Sequence, residues 1–332
     1  MNPSQSKSTL RPFFTLVFPL TLACLLSIPF TGCGNNSPAQ PAGSTGYTYQ
    51  GQWGLFGTGN AQFSHLRGLA VDSSDNIFVA DTGNDRVQEI NLLGFVRKWG
   101  INGSGAGEFI SPTSLGVDSS DNIYVTDLTN SRIQKFTSSG GYITEWGSEG
   151  SGDGQFESPS GLVVDSLGNV YVADTVNNRI QKFTSTGTFL TKWGTGGSGD
   201  GQFNAPLGLA VDSSDNLYVA DADNNRVQKF SSAGAFLAKW GKNNGDGSFG
   251  TGNGEFYRPY AIAIDSSGNL FVAEGLNNRV QKLTSTGAFA AKWGSYGSGP
   301  GQFDTPIGIA VDSTGRVYVA DTNNNRIQYF TP

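Results

Sequence analysis

The sequence predicts an all-β protein made of six copies of one unit, and three periodic features lead to this prediction. A tripeptide that ends at Asp72 recurs with its aspartate at positions 118, 165, 212, 265 and 312, so the spacings are 46, 47, 47, 53 and 47 residues. Six Trp-Gly pairs and six arginines follow nearly the same period. A fixed period of this length is typical of repeat architectures, in which each repeat is one structural unit.

One unit can be followed from residue 203 to residue 241. It contains four apolar runs, LAVD, LYVAD, RVQKF and AFLAKWG, and each is bounded by Asn, Asp, Ser or Gly. Short runs of this kind are typical of β-strands, and none has a helical period. The inner runs are apolar on both faces, as in a sheet packed between two neighbours. Four antiparallel strands per unit predict a six-bladed β-propeller of four-stranded antiparallel blades.

The two ends of the repeat region predict how the ring closes. The last unit stops after its third strand, RIQYF, close to Pro332. The first complete unit is preceded by a spare fourth strand, YTYQGQWG, which ends in Trp53-Gly54. Pairing this N-terminal strand with the last unit completes the sixth blade and leaves no open sheet edge.

The third unit, PSGLVVDSLGNVYVADTVNNRIQKF followed by KWG, resembles the NHL repeat. The family pattern is P-x-G-[IL]-A-V-D, G-N-[IV]-Y-V-A-D, N-N-R-[IV]-Q-K-F and W-G, and the resemblance covers residues 47–332. It implies a six-bladed propeller but leaves the function open, because one fold hosts many functions.

The first residues are predicted to form an export signal. Lys7 and Arg11 precede an apolar stretch, and Thr31-Gly32 directly before Cys33 resembles a bacterial lipobox. Residues 1–33 are therefore interpreted as a signal peptide ending in a lipid-modified Cys33, and residues 34–46 as a flexible linker. The alternatives are an ordinary secretory signal and an uncleaved anchor. We expect the chain in the extracytoplasmic cell envelope of a bacterium, bound to the membrane only through this lipid, or else secreted.

Composition excludes several classes of function. Cys24 and Cys33 are the only cysteines in the chain, so residues 47–332 have no disulfide, thiolate metal site or cysteine nucleophile. Removal of residues 1–32 leaves 19 basic and 27 acidic residues, a net charge of −8. An acidic surface repels phosphate backbones, so nucleic acid is not expected as a partner. No cofactor is expected, and the domain is expected to be a monomer.

Two sets of repeated polar residues are interpreted as structural. In each unit a turn follows the aspartate equivalent to Asp72, and one position of this turn is Asp in some units and Gly in others. This alternation indicates a left-handed backbone conformation rather than a calcium ligand. The second strand of each unit ends in an acid, and an arginine follows five residues later across one hairpin, so we expect Asp–Arg pairs with charge-assisted hydrogen bonds. These pairs are Asp81–Arg86, Asp127–Arg132, Asp174–Arg179, Asp221–Arg226, Glu274–Arg279 and Asp321–Arg326. The repeated tryptophans are expected to wedge between blades rather than stack on a ligand.

Residues that differ between copies are better candidates for binding. One position just before the first strand is predicted to line the mouth of the central channel, and it reads Arg67, Thr113, Ser160, Leu207, Tyr260 and Ile307. Such a half-polar, half-apolar ring suits a ligand site. Units 1 and 5 depart most from the repeat, at His65, Arg258, Tyr260 and Glu274. Neutral drift in loops is the alternative explanation of these departures.

The residue inventory weighs against an enzyme without excluding one. Six-bladed relatives that act as lyases depend on several histidines, whereas this chain has His65 alone, so a multi-histidine zinc site is impossible. The favoured hypothesis is a non-catalytic scaffold that binds a protein, peptide or glycan on the face of Arg67 and Tyr260. The alternatives are a metal-dependent lyase or hydrolase that uses Glu274 with nearby Asn or Asp, and a structural envelope protein.

Overall fold

The computed structural model describes residues 46–332. The predicted signal peptide, Cys33 and almost all of the predicted linker lie outside the described residues. Within 46–332 the secondary structure is 24 β-strands and three short 3₁₀ turns at Thr82–Asn84, Ala222–Asn224 and Lys242–Asn244. No helix among these residues is long and apolar enough to cross a bilayer.

The strands form six four-stranded antiparallel sheets, and each sheet is one blade. The strands of blades 1 and 2 are β2 Leu69–Val71, β3 Ile77–Asp81, β4 Arg86–Asn91, β5 Gly94–Trp99, β6 Pro112–Val117, β7 Ile123–Asp127, β8 Arg132–Phe136 and β9 Tyr142–Trp146. The strands of blades 3 and 4 are β10 Pro159–Val164, β11 Val170–Asp174, β12 Arg179–Phe183, β13 Phe189–Trp193, β14 Pro206–Val211, β15 Leu217–Asp221, β16 Arg226–Phe230 and β17 Phe236–Gly241. The strands of blades 5 and 6 are β18 Pro259–Ile264, β19 Leu270–Glu274, β20 Arg279–Leu283, β21 Phe289–Trp293, β22 Pro306–Val311, β23 Val317–Asp321, β24 Arg326–Thr331 and, from the N-terminus, β1 Thr48–Trp53.

Blade 6 is completed by β1, as the spare N-terminal strand predicted. The sheet order is β1-β24-β23-β22, with Thr48 opposite Thr331 and Trp53 opposite Ile327. The N-terminal and C-terminal strands thus share one sheet, which confirms the predicted six-bladed propeller with its ring closed by β1.

The core lies between neighbouring blades because the middle strands are buried on both faces. In β7, Ile123 and Val125 pack in a cluster with Phe78 of blade 1, whereas Tyr124 packs with residues of blade 3 such as Val170. Successive side chains of a strand point to opposite faces, so one apolar strand serves two interfaces. This arrangement explains why these strands are apolar throughout instead of alternating with polar residues.

The tryptophans lie between blades, as expected. Trp99 of blade 1 contacts Phe78 of its own blade and Phe136 of blade 2, with ring centroids 6.1 and 5.9 Å apart. Trp99 also lies against Gly140 in the turn after β8, where a Cβ would come 2.9 Å from the indole Cδ2. The glycine in this turn lets the next blade approach the indole ring closely.

Trp293 of blade 5 is covered differently, because the fourth strand of blade 6 is β1. Tyr47, just before β1, stacks on Trp293 with centroids 4.5 Å apart and an angle of 14° between the rings. The Tyr47 hydroxyl accepts a hydrogen bond from Lys282 Nζ at 3.1 Å. The N-terminal segment therefore completes blade 6 and also seals its interface with blade 5.

Candidate functional site

The repeated acid and arginine of each blade form a buried ion pair that holds the hairpin to the preceding loop. In blade 4, Arg226 is fully buried, and its Nε donates to Asp221 Oδ2 at 2.7 Å. The Nη atoms donate to the backbone carbonyls of Ser198, Gly199 and Gln202 at 2.6, 2.8 and 2.9 Å. All six pairs expected from the sequence have N–O distances between 2.6 and 2.9 Å.

The repeated glutamine uses its amide in the same arrangement. Gln228 Nε2 donates to the carbonyl of Gln202 at 2.7 Å and to Asp221 Oδ2 at 3.0 Å, and its Oε1 accepts from Gly201 N–H at 3.0 Å. These side chains satisfy backbone groups of a long loop that would otherwise be buried without partners. They hold the hairpin of the blade to the loop that leads into it.

Glu274 belongs to this structural set and not to the channel. Its Oε1 accepts from Arg279 Nε and Gln281 Nε2 at 2.7 and 2.8 Å. Its Oε2 accepts from Asn277 Nδ2 and Tyr257 N–H at 2.6 and 3.1 Å. Both oxygens of the fully buried carboxylate are therefore occupied by blade 5 itself, and Glu274 does not line the cavity described below.

The turns on the opposite face have the left-handed residue that alternation between Asp and Gly predicted, since φ is +61° at Asp75 and +81° at Gly168. Where this residue is Asp, it also links neighbouring blades. Asp121 Oδ1 and Oδ2 accept from Ser73 N–H and Oγ of the preceding blade at 3.0 and 2.7 Å. These contacts could not be predicted from the repeat alone, because they join residues of different blades, 48 positions apart in the chain.

The six variable positions predicted to surround the channel mouth lie together around one cavity. Its lining includes each of Arg67, Thr113, Ser160, Leu207, Tyr260 and Ile307. We call these six residues the channel mouth. Below them the cavity is lined by Leu or Ile of every blade, namely Leu69, Leu115, Leu162, Leu209, Ile262 and Ile309.

The channel-mouth residues of blades 2 to 6 do not precede the first strand, as the sequence suggested, but lie inside it. In blade 2 the strand begins at Pro112, which pairs with Asp127, and the register shifts between Pro112 and Leu115. Thr113 therefore lies in a β-bulge, a feature that redirects side chains and is common beside binding sites. Only Arg67 precedes its strand, and blade 1 also has His65-Leu66 where the other blades have a residue followed by proline.

The channel mouth has one polar and one apolar side. Blades 1 to 3 contribute Arg67, Thr113 and Ser160, and blades 4 to 6 contribute Leu207, Tyr260 and Ile307. The cavity volume is about 110 Å³. Because roughly 10–15 Å³ by this measure is enough for one water, the cavity has room for a small group of a ligand.

Tyr260 fits into the mouth because blade 5 has glycine at position 275. A Cβ on Gly275 would lie 2.5 Å from Tyr260 Cε2, so the threonine that several other blades carry there would collide with the ring. Arg258 stacks over the same ring at 5.5 Å and pairs with Asp223 Oδ1 of blade 4 at 3.1 Å. Blade 5 departs from the repeat at both Tyr260 and Gly275, and the two departures are linked because the glycine makes room for the tyrosine ring.

His65 and Arg258 lie outside the cavity lining, although the sequence suggested them as ligand contacts. They occupy the same place in their repeats, with left-handed φ values of +50° and +51°. Their backbone N–H groups donate to Asn325 and Asn225 Oδ1 at 2.7 and 2.9 Å, which ties each blade to the one before it. Within residues 46–332, no three His, Cys, Asp or Glu side chains are grouped so that they would hold a metal ion.

Comparison with known families agrees with this architecture. The NHL repeat model matches five segments, residues 63–90, 109–136, 156–183, 203–230 and 303–330. The unmatched copy is blade 5, which carries Glu274 and Gly275. The chain is thus a six-bladed β-propeller in which five blades match the NHL repeat. No curated protein matches it.

Several solved structures share the fold at low sequence identity. A streptogramin B lyase is 15% identical with a TM-score of 0.61, and the match covers 86% of this chain and 98% of that one. A gluconolactonase from Xanthomonas campestris is 13% identical with a TM-score of 0.61, over 89% and 98% of the two chains. An auxiliary nutrient binding protein from Bacteroides thetaiotaomicron is 13% identical with a TM-score of 0.59, over 81% and 69%. At these identities the likeness concerns the fold alone.

Proposed function

We propose that this chain is a binding protein without catalytic activity, which recognises a protein, peptide or glycan through the face that carries the channel mouth. The observation that carries this proposal is the position of the variable residues. The six copy-specific side chains meet around one cavity, whereas the repeat-identical polar side chains are engaged within the ring. Ligand sites are usually concave and mostly apolar, with a few polar groups that orient the ligand.

The size of the cavity limits what enters it. About 110 Å³ admits a protruding side chain or substituent, while the rest of a larger ligand would lie across the rim. The long loops that lead into blades 5, 6 and 1 carry exposed aromatic residues, among them Tyr257, Tyr296 and Phe56. Exposed aromatic side chains are favoured contacts in recognition sites.

The proposal places this face outside the cytoplasm. Residues 1–33 would direct export, Cys33 would carry the lipid, and residues 34–46 would tether the propeller to the membrane. Replacing Cys33 by Ser should abolish lipid labelling and release the protein from membranes. Unchanged fractionation of Cys33→Ser would contradict the anchor.

Capture of ligands by the immobilised full-length protein tests the binding function. A cell-envelope extract and a panel of glycans serve as ligand sources, and Leu207→Trp is used to fill the cavity. The matched control is Leu167→Trp, at a residue that is 81% exposed in a turn between β10 and β11 on the opposite face. We expect specific capture by the wild type and by Leu167→Trp, and loss of capture by Leu207→Trp. Equal capture by all three proteins would contradict the proposal.

Metal analysis of the purified protein separates this function from the alternative of a metal-dependent lyase or hydrolase. A stoichiometric divalent ion whose loss abolishes turnover would favour the enzyme. The carboxylate of Glu274, which the sequence suggested as a ligand for such an ion, accepts hydrogen bonds from Arg279, Asn277 and Gln281. A binding protein should capture its ligand equally well after treatment with a chelator.

A further inference from the structure

Arg67 differs from every other arginine in the described part of the chain. Residues 46–332 contain ten arginines, and nine of them lie within 4.0 Å of an Asp or Glu oxygen. Arg67 has no such partner among these residues, and its buried Nε has no hydrogen-bond acceptor. A guanidinium N–H that is shielded from water gains strongly from an acceptor supplied by a ligand.

The surroundings of Arg67 suit an anion. Among the residues that line the cavity, Arg67 is the only charged one, so no carboxylate there competes for the guanidinium. The neighbouring positions in blades 2 and 3 are the uncharged Thr113 and Ser160, whose hydroxyls have hydrogen-bond partners within the ring, the Ser160 carbonyl at 3.4 Å and Thr175 Oγ1 at 2.8 Å. The planar guanidinium matches the two oxygens of a carboxylate with two parallel hydrogen bonds.

The opposite side of the cavity is apolar and favours a ligand whose remaining part is apolar. Leu207, Tyr260 and Ile307 present hydrocarbon surface, and the ring of Leu and Ile side chains beneath them is apolar in all six blades. A sugar acid would place hydroxyl groups against this wall and leave them without partners, which is unfavourable. A branched aliphatic side chain would instead bury its surface there.

We propose that the channel mouth binds a carboxylate joined to an apolar group, as at the carboxyl terminus of a peptide that ends in an apolar residue. Arg67 holds the carboxylate, and Leu207, Tyr260 and Ile307 contact the last side chain. This inference rests on the proposed binding function and names the group recognised by the same site.

Calorimetric titration of the full-length protein with small probes tests the inference. N-acetyl-leucine carries the carboxylate and the apolar group, N-acetyl-leucinamide lacks the charge, and glucuronate carries a carboxylate on a polar body. We expect saturable one-to-one binding of N-acetyl-leucine, and binding of the other two that is about tenfold weaker or more. Equal binding of the amide, tighter binding of glucuronate, or no binding of N-acetyl-leucine would each overturn it.

Two variants show whether Arg67 holds the carboxylate. Arg67→Gln should lower the affinity for N-acetyl-leucine about 10- to 100-fold, and Arg67→Lys should lower it less because the positive charge remains. The matched control is Arg97→Gln in the same blade, whose side chain is 42% exposed and pairs with Glu89 away from the cavity. Each variant is checked for an unchanged melting curve, and unchanged affinity in a folded Arg67→Gln would overturn the assignment.

The capture assay keeps this inference separate from the proposed function. If Leu207→Trp loses its captured ligand while Arg67→Gln keeps it, the face binds a ligand but the carboxylate is not what it recognises. If both variants keep it, the proposed binding face is itself wrong.

Discussion

The aspartate that follows the first strand of each blade, such as Asp165 after β10, shows how a single residue stabilises this repeat. Asp165 Oδ1 accepts from the backbone N–H groups of Leu167 and Asn169, and Oδ2 accepts from the side chain of Asn169. Burial raises the pKa of Asp165, but hydrogen bonds from Asn169 and the charge of Lys182 outweigh it, so its pKa is lowered overall. The ionised carboxylate is therefore stabilised by folding.

The lowered pKa of Asp165 predicts acid destabilisation. Its contribution to stability is present above the unfolded-state pKa, near 3.8, and is lost as the pH falls through the lower folded-state pKa. Between about pH 5 and pH 2, the free energy of unfolding of Asp165→Asn should therefore fall less steeply than that of the wild type. Urea denaturation at several pH values measures this slope. The control is Asp153→Asn, at an exposed carboxylate paired with Lys192, and the same slope in both variants would contradict the explanation.

Tyr260 and Gly275 are predicted to be energetically coupled. Gly275→Thr places its Cβ against the Tyr260 ring and should cost about 1–3 kcal/mol. In blade 3 the equivalent residues are Ser160 and Thr175; the threonine hydroxyl donates to the Pro206 carbonyl at 2.8 Å and lies 2.8 Å from Ser160 Oγ, from which it can accept. The double variant Gly275→Thr/Tyr260→Ser should therefore recover most of the loss.

A double-mutant cycle by chemical denaturation measures this coupling. A favourable interaction of about 1 kcal/mol or more between the two substitutions is expected. Additive effects would mean that Gly275 is not what makes room for the tyrosine.

At the scale of elements, the segment before β1 acts in place of a missing turn. Four blades cover the preceding tryptophan with a glycine turn, formed by Gly140, Gly187, Gly234 and Gly287. In blade 6 the strand beside β24 is β1 from the N-terminal end, and Tyr47 just before it stacks on Trp293 instead. The N-terminal segment is therefore part of the core of the propeller.

Replacing Tyr47 by Ala should destabilise the domain by about 3 kcal/mol, because it empties a buried site against Trp293 and Phe271. Equilibrium denaturation measures the loss. Tyr142→Ala, at a tyrosine that is 42% exposed on β9, serves as the control and should cost less than about 1 kcal/mol. Similar effects of the two substitutions would contradict the role assigned to Tyr47.

The strands and their pairing could be predicted from sequence because every copy repeats the same apolar runs at a fixed spacing. The six residues of the channel mouth could be predicted because they share one place in that repeat. The β-bulges could not, since they depend on how Pro112 and its equivalents pair with the next strand. Nor could the contacts of Tyr47 and Gly275, which depend on side chains from different blades or different strands.

At the scale of the molecule, closure by β1 determines whether the six blades act as one unit. The channel mouth takes one residue from each blade, so its geometry depends on the ring remaining closed. Blade 6 is held by the pairing of β1 with β24, including a hydrogen bond from Gln50 Nε2 to Thr331 Oγ1 at 2.8 Å. Opening this one sheet would expose two strand edges and the interface around Trp293.

A disulfide across this junction tests the closure of the ring most directly. Thr48 and Thr331 are directly opposite in the β1–β24 pair, and antiparallel partners lie within the distance that a disulfide spans. With Cys24 and Cys33 replaced by Ser, Thr48→Cys/Thr331→Cys should form a disulfide in high yield and raise the free energy of unfolding by up to about 5 kcal/mol. The control pair is Thr48→Cys/Thr184→Cys, which uses the equivalent threonine of blade 3 and should not form a disulfide within the folded chain. A disulfide in the first pair alone, with stabilisation that a reductant reverses, is the predicted result; equal yields in the two pairs would contradict a ring closed by its N-terminal strand.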